Sequence, residues 1–403
     1  MQTSGQISPR TGNVLLMIGT MKGVFLLSSN STRSRWKVSG PHFTGQVVYA
    51  LAYDGRAGKQ RIWASPQSWF YGTVLAHSDD FGSNWSVPET ANVKFPEDTG
   101  LSLKQIWQIE PGRDDEPDVL YCGVEPASLF KSTDAGETWS LVRGLHDHPH
   151  RPRWEPGGGG LCLHTILLHP TDRNKMYVAI STGGVYKTDD GGSTWRAVNK
   201  GVSAEFLPDK YPEFGQCVHK VAMHTSQPDR LFLQNHGGLF RSFNGGESWE
   251  SMANGVPSDF GFPIVSHPHE PDTFYIVPLD YEMRCVPEAK LRVYRTQDAG
   301  KTWKPLTRGL PQKRAYETIL RDSMTADQLD PAGIYFGTRS GKIYGSANNG
   351  NSWKLILDDL PPVTCVKAAV VGGEIQTKKS TSKKKTGTKR ATKKPARATR
   401  KGK

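Results

Sequence analysis

Cysteine is sparse and scattered. Five residues (Cys122, Cys162, Cys217, Cys285, Cys365) are spread over 403 positions with no Cys-x-x-Cys pair. Disulfide frameworks use dense, even sets, so these cysteines predict reduced thiols and a cytoplasmic protein. No apolar run approaches the roughly 18 residues of a membrane helix, and Met1–Arg10 lacks the charged-then-apolar pattern of a secretory signal. Neither a membrane partner nor a cofactor is expected. Gly157–Gly160 has no following helix or Lys-Ser/Thr, which argues against a phosphate cradle.

Acidic residues are missing from one segment only. Residues 377–403 hold thirteen of the 51 Lys and Arg and no carboxylate; 51 less 13 leaves 38 cations against 39 anions for residues 1–376. The formal charge of +12 therefore belongs to a tail, and the nearly neutral body is not a general polyanion binder. The tail has no aromatic or aliphatic bulk to bury, so residues 373–403 are expected to be disordered. Its Lys, Ala, Thr and Pro resemble the tails of histone H1. Lys383, Lys384, Lys385, Lys389, Arg390, Lys393 and Lys394 are the candidate contacts to nucleic acid or another polyanion, without sequence readout.

What is abundant is glycine, proline and tryptophan (42, 27 and 11 residues), which point to turns and short strands. One unit organises them: Ser/Thr-x-Asp/Asn-x-Gly-x-x-Trp. It begins at Ser78, Ser132, Thr188, Ser242, Thr296 and Ser346 and ends at Trp85, Trp139, Trp195, Trp249, Trp303 and Trp353; a decayed seventh copy runs from Ser28 to Trp36. Short polar side chains bond nearby amides, glycine takes positive φ, and tryptophan opens the next strand with a large apolar face. The unit is a hairpin clip. A second turn lies upstream in several units, as in Glu110-Pro111, His169-Pro170 and His267-Pro268, so His169, His224 and His267 read as structural.

Each unit then holds four strands, A to D, and tandem four-stranded units of about 50 residues specify a β-propeller. The chain opens with strands B, C and D and closes with an orphan A strand at Val363–Val370. The expected fold is all-β: a seven-bladed propeller over 13–372 after a flexible 1–12, its ring sealed by pairing the C-terminal strand with the N-terminal three. Closure removes two exposed edges, so a monomer is expected.

The A–B and C–D turns are short and repetitive, whereas the D–A and B–C segments are irregular, and variable loops carry function. They hold Trp69, Phe70 and Tyr71; His146, His148, His150, Arg151 and Trp154; Phe206, Tyr211 and Phe214; and Asp280, Tyr281 and Arg284. Trp107, His164, His219 and Tyr316 are assigned to one column at the starts of the A strands, with Glu125, His236 and Arg339 at the ends of B strands. An aromatic mouth with a few polar groups suits a small ligand, and sugars in particular. His164 and His219 admit two readings, ligand contact or satisfied channel histidines; Trp107 and Trp154 are either stacking platforms or loop packing. His146-Asp147-His148-Pro149-His150 has metal-like spacing, but Pro149 forces an extended turn and no fourth ligand follows, so no metal site is assigned.

The clips resemble the Asp-box, or bacterial neuraminidase repeat, of sialidases, xyloglucanases, sortilin-type receptors and a photosystem II assembly factor. The layout over residues 13 to about 370 resembles the seven-bladed bacterial proteins labelled sialidase-like or glycosyl hydrolase. The leading expectation is a propeller whose variable face binds a ligand, a glycan in particular; its enzyme version hydrolyses that glycan, with Glu125 and Glu317 or Asp280 as acid and base and His164, His219 and Arg284 orienting the substrate. The chain lacks the Arg-Ile-Pro motif and the six blades of true sialidases, which separates it from a typical sialidase. The rival reading is a scaffold propeller whose aromatic face meets a protein partner.

Overall fold

The computed structural model describes residues 5–70, 72–372 and 402. Seven antiparallel sheets are arranged as the blades of a propeller. Blade 1 combines Val363–Val370 with Val14–Thr20, Gly23–Ser29 and Lys37–His42. Val363–Val370 is its A strand and runs antiparallel to Val14–Thr20, with Val14 opposite Val370 and Ile18 opposite Val366. The A strands of blades 2 to 7 are Val47–Asp54, Gln105–Pro111, Leu163–Leu168, Val218–His224, Gly261–Ser266 and Met324–Ala326. Together with Val363–Val370 they contact one another in turn around the axis. Blade 2 departs from the pattern: Gly72–Thr73 and Ala76–Ser78 both pair with Arg61–Ser68, and its D position is a single bridge from His77 to Ser86.

Seven apolar clusters fill the seven gaps between neighbouring blades. The two-residue period of a strand explains how one strand serves two gaps. Along Val14–Thr20, Leu15 and Met17 join the core shared with blade 2, while Val14, Leu16 and Ile18 join the core shared with blade 7. All seven residues of this strand are buried. Ile7 is also buried in the core between blades 1 and 2, and the Gly12 amide donates to Val371 O at 2.8 Å, so residues 5–12 lie against the first blade.

The clips form the bonds their residue types call for. In blade 3, Ser132 Oγ donates to Asp134 Oδ1 (2.7 Å) and accepts from the Gly136 amide (2.9 Å); Asp134 Oδ1 also accepts from the Thr138 amide (2.9 Å). The Thr138 hydroxyl, with that amide, pulls the Asp134 carboxyl down to about 2. The same set recurs at Thr188/Asp190, Ser242/Asn244, Thr296/Asp298 and Ser346/Asn348. Two successive positive-φ residues turn each clip, for example Ala135 (58°) and Gly136 (93°). Tryptophan then ties neighbours together: Trp249 Nε1 donates to Val198 O and Trp303 Nε1 to Met252 O, both at 2.8 Å. The three turn histidines are structural too. Nδ1 of His169, His224 and His267 accepts backbone amides from the turn that follows, at 3.0–3.3 Å.

Candidate ligand-binding site at the mouth of the central channel

A single device builds the mouth. Each A strand of blades 1 to 6 breaks register near the end that opens on the irregular loops: at Thr364, Tyr49, Trp107, His164, His219 and Phe262. A bulge leaves one residue out of the ladder and re-aims its side chain. Five of these six, all but His164, line a cavity of about 480 Å³. Ser181, His236 and Arg339 join them from B strands or just beyond their ends, and Gly158, Gly159, Cys217, Arg284, Leu320, Arg321 and Asp322 from the connecting segments.

One wall is aromatic. The rings of Tyr49 and Trp107 lie 4.9 Å apart, and Trp107 carries the Arg321 guanidinium 5.2 Å above its face. Across the cavity, His219 lies 4.7 Å from Phe262, and Arg284 sits 4.4 Å over Phe260. Trp107 Nε1 donates to Glu125 Oε2 at 3.2 Å, so Glu125 fixes the indole from behind.

The charge balance favours anions. Arg284, Arg321 and Arg339 face the cavity, and the one carboxylate among its described lining residues, Asp322, is already compensated. Lys220 Nζ donates to Asp322 Oδ1 at 2.7 Å, with Lys367 Nζ at 3.5 Å. Burial alone would raise this carboxyl, but the two ammonium groups outweigh it and hold it below the ordinary range. Glu110 behaves oppositely: burial raises its carboxyl, and the lysines only partly offset that.

The sequence-predicted residues divide into two groups. Trp107, His219, His236, Arg284 and Arg339 come together at the cavity, with Glu125 and Tyr281 directly behind Trp107 and His236. The others lie elsewhere. His164, at the bulge of blade 4 equivalent to that of His219, is fully buried and donates through Nε2 to Val218 O (2.9 Å), a clip between blades. His148 bonds Trp195 O (3.1 Å), while His150 stacks on Phe214 and bonds the Tyr186 hydroxyl (3.0 Å). Trp154 donates to that same hydroxyl at 2.9 Å, and Arg151 donates to Ala127 O and to Ser128 Oγ. Residues 148–154 therefore pack over blades 3 and 4, and only Gly158 and Gly159 of this loop reach the cavity.

Trp69 is almost wholly exposed at a loop tip, and Tyr71 lies outside the described residues. Tyr316 is exposed and does not belong to the column, because the A strand of blade 7 begins only at Met324. The two further candidate carboxylates are engaged away from the cavity. Glu317 is buried, accepting from Lys342 Nζ (2.7 Å) and Ser340 Oγ (2.5 Å). Asp280 Oδ1 caps its own loop through the amides of Glu282 (3.0 Å) and Met283 (2.8 Å). The tail cations Lys383, Lys384, Lys385, Lys389, Arg390, Lys393 and Lys394 also lie outside the described residues.

Sequence reasoning missed Tyr49, Phe262, Cys217, Arg321, Asp322 and Thr364. Aligning the A strands on their apolar pairs exposes part of this set: Val48-Tyr49 matches Ile106-Trp107, and Cys162-Leu163-His164 matches Cys217-Val218-His219. Arg321 and Asp322 carry no such signal, since the strand after them has three residues.

No family model matches the chain. Among curated proteins, a probable oligoxyloglucan-reducing end-specific xyloglucanase of Neosartorya fischeri is 25% identical over 226 residues, or 48% of this chain and 26% of that protein. The chain thus spans about a quarter of the length of that relative. Among solved structures, a GH74 enzyme of Niastella koreensis aligns at a TM-score of 0.57 and 15% identity, covering 89% of this chain and 55% of that one. YCF48 bound to D1 peptide aligns at 0.50 and 11% identity, covering 89% of both chains. The chain is a seven-bladed β-propeller with GH74 and YCF48 proteins as structural neighbours. At these identities the structural likeness is one of fold.

Proposed function

We propose that the protein binds a small anionic ligand, an acidic saccharide, at the mouth of its channel, and that its clips are Asp boxes that hold the blades beneath that site. The observation that carries this reading is a cavity walled by aromatic bulge residues and facing three arginines, in which the one carboxylate is neutralised by two lysines. Aromatic faces stack on sugar rings, and guanidinium groups take carboxylates with paired donors. The xyloglucanase relatives support a saccharide, and the arginines favour one that bears an acid.

Binding fits the geometry better than hydrolysis, because Glu317 and Asp280 are engaged elsewhere and Glu125 serves Trp107. Calorimetric titration with uronic and other sugar acids, beside their neutral counterparts, tests this. The acids bind and the neutral sugars bind more weakly. Arg321→Ala lowers affinity about 10–100-fold, the loss of one charged hydrogen bond. Equal binding of acid and neutral sugars, or none of either, overturns the reading, and turnover of aryl glycosides that Glu125→Gln abolishes restores the hydrolase.

A scaffold function is the second reading, supported by the peptide-bound propeller that matches along most of its length. On that reading the arginines take a peptide carboxylate, and capture of a C-terminal peptide with no affinity for sugar acids identifies it. For the basic segment 377–403 we propose nonspecific contact with nucleic acid, without sequence readout. A salt-sensitive shift of DNA mobility disappears when 377–403 is deleted; an unchanged shift refutes this role.

A further inference from the structure

The geometry points to a zinc-class metal site on one wall of the mouth, formed by Cys217, His219 and His236 with the fourth corner open to the cavity. It stands independently of which ligand the cavity takes. Cys217 immediately precedes the A strand of blade 5, His219 is its bulge residue and His236 immediately follows its B strand; their donor atoms lie within 4.8 Å of one another. His219 Nε2 is 3.4 Å from His236 Nδ1 and 3.7 Å from Cys217 Sγ. A tetrahedral zinc with ordinary bond lengths separates two nitrogens by about 3.3 Å and a nitrogen from a sulfur by about 3.6 Å. Two edges of the coordination polyhedron are therefore already set to within about 0.1 Å, and only the third, between Cys217 and His236, needs to close.

The outer partners suit the same assignment. His219 Nδ1 lies 2.6 Å from Gly261 O, and a carbonyl only accepts, so Nδ1 carries the proton and the Nε2 lone pair points at the other two ligands. A second bond from the non-ligating nitrogen is how metal-binding imidazoles are oriented. His236 Nε2 is likewise 3.1 Å from the Tyr281 hydroxyl. When a metal binds, the His236 proton moves to Nε2 and is donated to Tyr281 Oη, and the Cys217 thiol loses its proton to solvent, one per metal. Two imidazoles and a thiolate form a borderline-soft set suited to zinc. All three ligands line the cavity together with Arg284, Arg321 and Arg339, so an anionic oxygen of a ligand can take the fourth corner.

Titration of the untagged, chelator-stripped full chain with cobalt(II) tests the site. One equivalent produces tetrahedral d–d bands and a thiolate-to-cobalt charge-transfer band; zinc then displaces the cobalt, and one proton is released per metal. Cys217→Ser loses the charge-transfer band, whereas Cys285→Ser keeps it. His236→Gln, at a half-buried position, weakens zinc more than the roughly 10–100-fold typical for loss of an outer partner, and Tyr281→Phe falls within that range. Circular dichroism confirms that each variant is folded, and in parallel zinc raises the melting temperature of the native chain but not of His236→Gln. Absence of the charge-transfer band in the native chain, or its persistence in Cys217→Ser, overturns the assignment.

Discussion

Ring closure can be tested by ending the chain on either side of one strand. Chains terminated after Leu360 and after Gly372 differ by twelve residues that include Val363–Val370. Val363, Val366 and Val371 in that segment are all fully buried. Burying their side chains is worth about 5–9 kcal/mol in total, an upper bound because the unfolded chain already hides some surface. The ladder to Val14–Thr20 adds about 1 kcal/mol for each bond, and its loss exposes a strand that is otherwise entirely buried as an unpaired edge. A domain has about 5–15 kcal/mol of stability altogether. The 1–372 chain therefore unfolds cooperatively in urea like the full chain, while 1–360 is unfolded or aggregated before denaturant is added. Tryptophan fluorescence with size-exclusion chromatography reports both. A monomeric 1–360 chain with the same urea midpoint as 1–372 would refute closure by this strand.

Gly136 and Gly58 separate two costs of a turn. Both have positive φ (93° and 79°), but a Cβ at Gly136 would meet the Trp63 ring at 2.4 Å and one at Gly58 meets nothing. Gly136→Ala is destabilising by about 1–3 kcal/mol beyond Gly58→Ala, the overpacking share, and equal urea midpoints would deny the contact. Burial lowers the pKa of His164 and of the turn histidines His169, His224 and His267 below the ordinary 6.5. The unfolded chain binds more protons than the native chain below that pH, so stability falls as pH drops from about 6.5, by up to about 1.4 kcal/mol per pH unit for each group. The clip carboxyls Asp134 and Asp190, held at about 2, add a second loss only as pH falls from about 4 toward 2. Urea melts between pH 8 and 4 show the first phase, and a flat profile down to pH 5 contradicts it; His164→Gln, which keeps a donor for Val218 O, reduces the slope.

The blade count was legible because each of six clips sets hydroxyl, carboxyl or amide, glycine and tryptophan at the same offsets. The seal was legible because an unmatched apolar strand at one end answered a missing strand at the other. The mouth was only half legible. Trp107, His219 and His236 repeat at equivalent positions, but the side-chain period of a strand fails at a bulge, so Tyr49 and Phe262 gave no alternating pattern to read. Loop residues were harder. Glu317 and Asp280 look like free acids in the chain, and only folding brings Lys342 and the Glu282 amide onto them. His148, His150 and Trp154 are aromatic and polar, as binding residues are, yet their partners on blade 4 absorb them.

The strand that seals the ring also furnishes the cavity. Thr364 is part of its lining, and Lys367 reaches Asp322 on blade 7. A ribosome that has released six blades has therefore delivered a cavity still missing part of its wall, however well those blades have condensed. The cavity wall and the seam are thus completed in one event, when the last strand pairs with the first.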